Sequence, residues 1–294
     1  MKETLNKAYK WSNSWTGTII IVLFVIFFIA QAFRIPSGSM KDSLLVGDHL
    51  FAKKFAYGVS MPHIPFLEMS IMPWSDELRL LDGDTPKRGD IVIFRPPHNT
   101  KQHFVKRCFG VAGDEILFTD SDELYLRPHE GDDFIHSNYP KESIVSLMGK
   151  LWVKNPMSSI HPGIHNDENH SIYEDYLTYY MSQKSSVDMK AVVIDELNTH
   201  YNLPFNAFYK KVSEKRYYMI GDNRDHSNDS RFWGSVPYDN IEGTPWFIYF
   251  SIDENWEIRW DRMGKTPTDL EEPIHLDKAI QERLITDKDY HGIT

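Results

Sequence analysis

Apolar positions along this chain fall into one long run and many short ones. The long run spans Trp15 to Phe33, unbroken from Ile19 to Ala30. As a helix, about 19 residues at 1.5 Å each reach roughly 28 Å, enough to cross a bilayer core. Trp11 and Trp15 suit one membrane interface and Arg34 the other. The pattern predicts a transmembrane anchor over 15–33 behind a short cytoplasmic tail, 1–14. A removable leader is the competing reading. Ala30-Gln31-Ala32 has the small-x-small form of a cleavage site, and Lys2, Lys7 and Lys10 make a basic lead-in. Basic residues also follow the run, at Arg34, Lys41, Lys53 and Lys54. Large downstream domains are often translocated regardless of such charge, so the bulk of the chain is placed outside.

The short runs alternate with turn signals and read as strands near 49–57, 90–94, 103–109, 116–118, 217–220, 245–252 and 256–260. Strands of this length and spacing predict a mainly β fold, an antiparallel sandwich or partly closed barrel. Trp256, Ile258 and Trp260 fall on one face of the last strand and read as core, in a hairpin across Asp253-Glu254-Asn255. Residues 59–85 are apolar but broken by Pro62, Pro65 and Pro73. They fit a loop touching lipid or substrate better than a helix or central strand. The block from about 120 to 214 is acidic and rich in tyrosine, with a helical stretch read over Glu174 to Ser185. Residues 263–294 are polar, with a helical stretch read over Lys278 to Leu284.

Composition narrows the class. A net charge of -10 argues against a nucleic-acid protein, which carries a basic face. The single cysteine, Cys108, rules out an intrachain disulfide.

The candidate chemistry sits in three places. Pro36-Ser37-Gly38-Ser39-Met40 follows the apolar run directly and offers two hydroxyls around a glycine. A serine hydroxyl is a weak nucleophile until a base takes its proton. Its position favours retention of the apolar run, since a tether holds the serine at the membrane face. In the strand Phe104 to Gly110, Lys106 shares a face with Phe104 and Cys108. Burial there disfavours the ammonium and lowers its pKa, which suits a lysine to act as a base near neutral pH. The strand Tyr217 to Ile220 then runs into a polar loop, Gly221 to Gly234, dense in hydrogen-bonding groups. Loops of that kind bind something or brace a site. Arg88-Gly89-Asp90 reads as a turn into a strand, and Lys53 and Lys54 as a solvated edge. His161, His165, Asp167, Glu168 and His170 are metal-ligand residue types. Their spacing matches no ligand template and Pro162-Gly163 implies a turn, so this loop is read as solvated.

Together these boxes resemble one family, the bacterial type I signal peptidases. The resemblance rests on the apolar run, Pro36 to Met40, Gly47-Asp48, Arg88 to Phe94, Val105 to Arg107 with Gly110 and Gly113-Asp114, and Gly221 to Asp225 through Trp233-Gly234, in the family's order. It implies a β catalytic domain over 34–120 and 215–262, with a variable second domain inserted at 121–214, and leaves 263–294 as the polar tail read above. It implies a Ser/Lys dyad with Ser39 as nucleophile and Lys106 as general base. Ser37 and the Ser39 N–H match the oxyanion hole, and Ser227 a serine that orients the lysine. Asp222 matches structural support of the site, and Asp229 with Arg231 a bracing ion pair. It further implies signal peptides of exported preproteins as substrates, cut after small-x-small sites. The implied setting is the bacterial plasma membrane, with the catalytic domain on the outer face beside lipid and the export translocon. No metal or cofactor is implied. Three positions depart from the family pattern: Asp42 stands where proline is usual, Ser43 where threonine is usual, and His226 where asparagine is common. His226 beside Ser227 leaves a Ser/His arrangement open. A specialised peptidase, such as a pilin-processing enzyme, shares the dyad. An inactive anchored scaffold for exported proteins is the alternative from another class.

Overall fold

The computed structural model describes residues 2–61, 63–64, 69–70, 79–167, 169–183, 187–197, 200–201, 203–276 and 280. Two antiparallel sheets organise it. In chain order the strands are β1 (Ala30–Arg34), β2 (Asp48–Lys53), β3 (Ile91–Phe94), β4 (Phe104–Gly110), β5 (Glu115–Thr119), β6 (Leu124–Arg127) and β7 (Ile144–Leu147). They continue with β8 (Lys150–Lys154), β9 (Lys190–Val192), β10 (Ala207–Lys211), β11 (Arg216–Ile220), β12 (Val236–Pro237) and β13 (Ile241–Ser251). The first sheet runs β1-β2-β13-β3-β4-β11-β12, the second β7-β8-β6-β5-β10-β9. The chain passes from β4 in the first sheet to β5 in the second through a tight turn, with Gly113 at φ +88°. Only a residue without a Cβ takes that conformation at little cost.

The sequence explains the split of the core. Ile91 to Phe94 is apolar at every position, and all four side chains are buried, since β3 lies inside its sheet with both faces covered. Phe118, Leu126, Tyr173, Tyr176 and Phe208 pack the second sheet under the helix Ile172–Ser182. Ser171 caps that helix by accepting from the Glu174 N–H.

The N-terminal segment departs from the anchor expected over 15–33. After a helix over Lys2–Ser12, a second helix covers Trp15–Phe24 and a π turn covers Val25–Ile29. The chain then becomes β1, whose Ala30 to Arg34 pair with Lys53 to His49 of β2. Strand pairing satisfies these backbone groups and ends the helix. Among the described residues, no helix is long and apolar enough to cross a membrane. Ala30-Gln31-Ala32 lies within β1.

The expected strand 256–260 is also corrected. Asp253 Oδ1 accepts the N–H groups of Asn255 and Glu257 and turns the chain locally. One bridge, Ile252 to Ile258, is all the pairing that forms there. Trp256 is 83% exposed and Trp260 71% exposed, so the alternation faces solvent and is not core. The strand expected over 49–57 stops at Lys53, and the one expected from 245 begins at Ile241. Within 59–85, short strands form at Gly58–Ser60 with Arg79–Asp82 and at His63–Ile64 with Met69–Ser70. Pro62, Pro65 and Pro73 lie outside the described residues, as do 278–279 and 281–284 of the helix read at 278–284.

Residues 263–276, read as part of a polar tail, dock on the fold through Leu270 and Leu276, which are buried. Pro267–Leu270 is a short helix with a capping box between Thr266 and Asp269. It buries Leu270 completely in a cluster with Ile35, Met40 and Leu44. A C-terminal side chain thus lies in the apolar cluster that backs the serine box.

Candidate active site

Gly38–Met40 forms a single 3-10 turn four residues after β1, and it carries Ser39. Lys106, on β4, lies across the register from Val92 of β3. Its Nζ is 2.5 Å from Ser39 Oγ and 3.2 Å from the Val105 carbonyl. Both residues are buried, Lys106 at 4% and Ser39 at 8% exposure. Burial lowers the Lys106 pKa to about 8, against the opposing pull of Asp229 and Asp222. Ser37, on the exposed side, brings its Oγ within 3.4 Å of Ser39 Oγ.

The loop after β11 holds this turn from behind. The Asn223 N–H donates to the Ser39 carbonyl at 3.2 Å, and Asn223 Nδ2 donates to the Gly38 carbonyl at 3.1 Å. Gly221 lies so close that a Cβ there would meet the Ser39 carbonyl oxygen at 2.4 Å. Asp222 accepts two bonds from Arg107 at 2.8 and 2.7 Å and one from Ser43 Oγ at 2.5 Å. The Arg107 guanidinium holds the fully buried Asp222 carboxyl below its usual range, against the desolvation that opposes it. Asp229 takes a matching pair of bonds from Arg231, at 2.9 and 2.8 Å, and accepts the Gly221 N–H at 3.1 Å. Two buried carboxylate–guanidinium pairs thus flank the lysine, both geometrically bidentate.

A serine hydroxyl against a buried amine of lowered pKa is an arrangement that can serve as a nucleophile with its base. A model of the family described as signal peptidase, peptidase S26, matches residues 8–250. This chain belongs to the signal peptidase family, peptidase S26. Family membership makes it a serine endopeptidase. It is 43% identical to a signal peptidase I of Helicobacter pylori strain J99 over 296 aligned residues, covering 94% of this chain and 98% of the relative. A signal peptidase I of Buchnera aphidicola subsp. Baizongia pistaciae is 31% identical, covering 84% and 80%. A solved signal peptidase I from Enterococcus faecalis aligns at 22% identity over 55% of this chain and 97% of its own, with a TM-score of 0.27, too low to bear on the fold.

In this signal peptidase the remaining predicted residues divide. Ser227 is 2% exposed, but its Oγ has no hydrogen-bond partner, so the expected bond to Lys106 is not made. The lysine's bonds go to Ser39 and Val105 instead. His226 lies away from Ser39, with its Nε2 3.0 Å from Asp167 and its ring stacked on His170 at 4.8 Å. The histidine-rich loop is also dispersed: His161 bonds Glu271, His165 faces Asp42, and His170 bonds Asp175. Glu168 lies outside the described residues.

Sequence reasoning missed Asn223 and Glu271. Glu271 accepts from Arg107 at 2.5 Å and lies 2.8 Å from His161, joining the C-terminal segment to the site. Asn223 lies in the marked Gly221–Asp225 box but was given no role, and nothing in local spacing marks Glu271. The position of Asp42 is a third finding. It sits at φ 75°, the left-handed region, where proline's fixed φ near -65° cannot go. The turn after Ser39 is therefore not one that a proline would make.

Proposed function

We propose that this peptidase removes signal peptides from exported preproteins through a Ser39/Lys106 dyad. The observation that carries the proposal is the 2.5 Å approach of Lys106 Nζ to Ser39 Oγ in a buried setting. Neutral Lys106 takes the Ser39 proton as Oγ attacks the scissile carbonyl. The developing oxyanion is received by the Ser37 hydroxyl and the Ser39 N–H, donors placed before the charge appears. Lys106, now protonated, passes its proton to the leaving amine. Water then hydrolyses the acyl-enzyme with Lys106 again as base. Asp222, Asp229 and Arg231 support the site without touching the reacting atoms.

The substrate class and the cut after small-x-small residues rest on the family relationship. Membrane attachment rests on the apolar run. Ile19 to Val25 are exposed along the helix, between 36% and 55%. Side chains of this kind are stable in lipid, so the segment attaches the enzyme to the plasma membrane. Retention of β1 within the sheet supports an anchor that stays attached.

The deciding experiment is cleavage of a model preprotein in detergent by wild type, Ser39→Ala and Lys106→Met, each checked by circular dichroism. Folded variants that do not cut support the dyad. A Lys106→Met enzyme cutting near the wild-type rate would place the base elsewhere.

A further inference from the structure

We propose that Asp42 and His165 form a clamp that positions the nucleophile turn, with His165 reaching in from the segment between β8 and the helix Ile172–Ser182. The proposal rests on the Ser39/Lys106 reading above and names two positioning residues for it. Asp42 lies three residues after Ser39, is 1% exposed, and holds φ at 75°. A non-glycine residue in that region is strained by about 1 kcal/mol, least for Asp and Asn. Such strain persists where the surroundings over-determine the conformation.

The surroundings here do so. His165 Nδ1 lies 2.9 Å from the Gly163 carbonyl and 3.2 Å from Asp42 Oδ2. Both neighbours are acceptors, so Nδ1 carries a proton and donates. The His165 backbone is joined to the loop that holds Ser39. Its N–H donates to the Asp222 carbonyl at 3.0 Å, and its carbonyl accepts from the Arg224 N–H at 2.9 Å. Between those two contacts lies Asn223, which bonds the Ser39 and Gly38 carbonyls. Gly163 closes the arrangement, since a Cβ there would meet Ser43 Oγ at 2.5 Å. The side chain of His165 therefore grips the end of the turn while its backbone braces the residue that grips the start. Ser39 Oγ is held between these two points, against Lys106.

The test compares Asp42→Gly, Asp42→Asn, His165→Ala and His165→Asn with wild type and Lys106→Met on the model preprotein, each with its pH–rate profile. Glycine keeps the left-handed backbone but removes the carboxylate. Asparagine keeps an acceptor at 42, and at 165 its amide N–H stands where Nδ1–H stood. Asp42→Gly and His165→Ala are expected to lower kcat between about tenfold and a hundredfold, with KM within about twofold. The acid limb of kcat/KM should move above about 8, because a loosened turn lets water reach Lys106. Both asparagine variants should recover most of the rate, and Asp42→Gly/His165→Ala should be no worse than either single change. An Asp42→Gly enzyme with wild-type kcat and limb overturns the clamp and leaves only a backbone role for Asp42. If Asp42→Gly does not fold, His165 decides: an Ala variant with unchanged kcat and limb, or an Asn variant that recovers nothing, also overturns it. Failure of the dyad is distinct, since Lys106→Met would then cut like wild type.

Discussion

At the scale of single residues, the burial of Lys106 has consequences for both rate and stability. With Lys106 as the proposed base, the neutral amine is the active form, so kcat/KM should rise through a pKa near 8 as pH increases. Stability carries the same signature. The folded pKa of about 8 lies below the ordinary value of 10.5. Below pH 8 both folded and unfolded chains hold the proton, and the fold bears the full penalty of a buried ammonium, about 3 kcal/mol. Between 8 and 10.5 the unfolded chain binds the extra proton, so stability rises with pH, and above 10.5 the penalty is gone. Lys106→Met should therefore be more stable than wild type at pH 7 by up to about 3 kcal/mol, with the gap closing by pH 10.5. Urea unfolding across that range would measure it, and equal stability at pH 7 would mean a solvated lysine. Strand alternation marks Lys106 only as a candidate for burial, and its pairing with Ser39 comes from the ordered boxes of the family resemblance. The partner of Asp42 was not legible in the sequence, because His165 is 123 positions away and only the packed loop brings them together.

At the scale of elements, β11 and its loop press directly on the nucleophile turn. In a Gly221→Ala variant the Cβ would have to displace both the Ser39 carbonyl and the Ser227 side chain. Overpacking of that kind costs about 1–3 kcal/mol, and the displaced turn should lower kcat more than KM. Steady-state kinetics on the folded variant would show it, and wild-type kcat would mean that the turn yields freely. The strands with turn signals were legible because pairing partners exist for them in the two sheets. Residues 256–260 carry the same alternation, but Asp253 turns the chain back before a ladder can form. Alternation specifies a face and not what covers it. Trp260→Ala should consequently cost less than about 1 kcal/mol, a surface value, where a core tryptophan costs about 3–5. Chemical denaturation separates the two. The same limit applied at the N-terminus. The apolar run Trp15 to Phe33 reads as one helix, yet its last residues find a partner in β2, and hydrogen-bonded pairing overrides helical continuation there.

At the scale of the whole molecule, Arg107 is where the pieces meet. Its guanidinium bonds Asp222 behind the nucleophile, Glu271 in the C-terminal segment, and the Gly89 carbonyl at the entry to β3. Glu271 passes the link to His161. The attraction of the Arg107 guanidinium and, for Glu271, the bond from His161 keep both carboxyls below their usual ranges, against the burial that opposes them. Groups depressed in the folded state stabilise it above their unfolded pKa values, near 4, and that contribution is lost as pH falls through the folded values. Their contribution to wild-type stability should then decline only as pH falls below about 4. Arg107→Met leaves Asp222 buried without its cation, which should cost about 3–5 kcal/mol at pH 7. It should also move acid unfolding upward, since Asp222 and Glu271 would protonate earlier. Glu271→Gln removes the link to the C-terminal segment but keeps Arg107 on Asp222. It should cost less, about 1–3 kcal/mol, and leave the acid transition closer to wild type. Acid titration followed by circular dichroism, paired with guanidinium unfolding at pH 7, distinguishes the two. If Glu271→Gln proved as damaging as Arg107→Met, the C-terminal segment, and not the Asp222 pair, would be what the arginine chiefly holds in place.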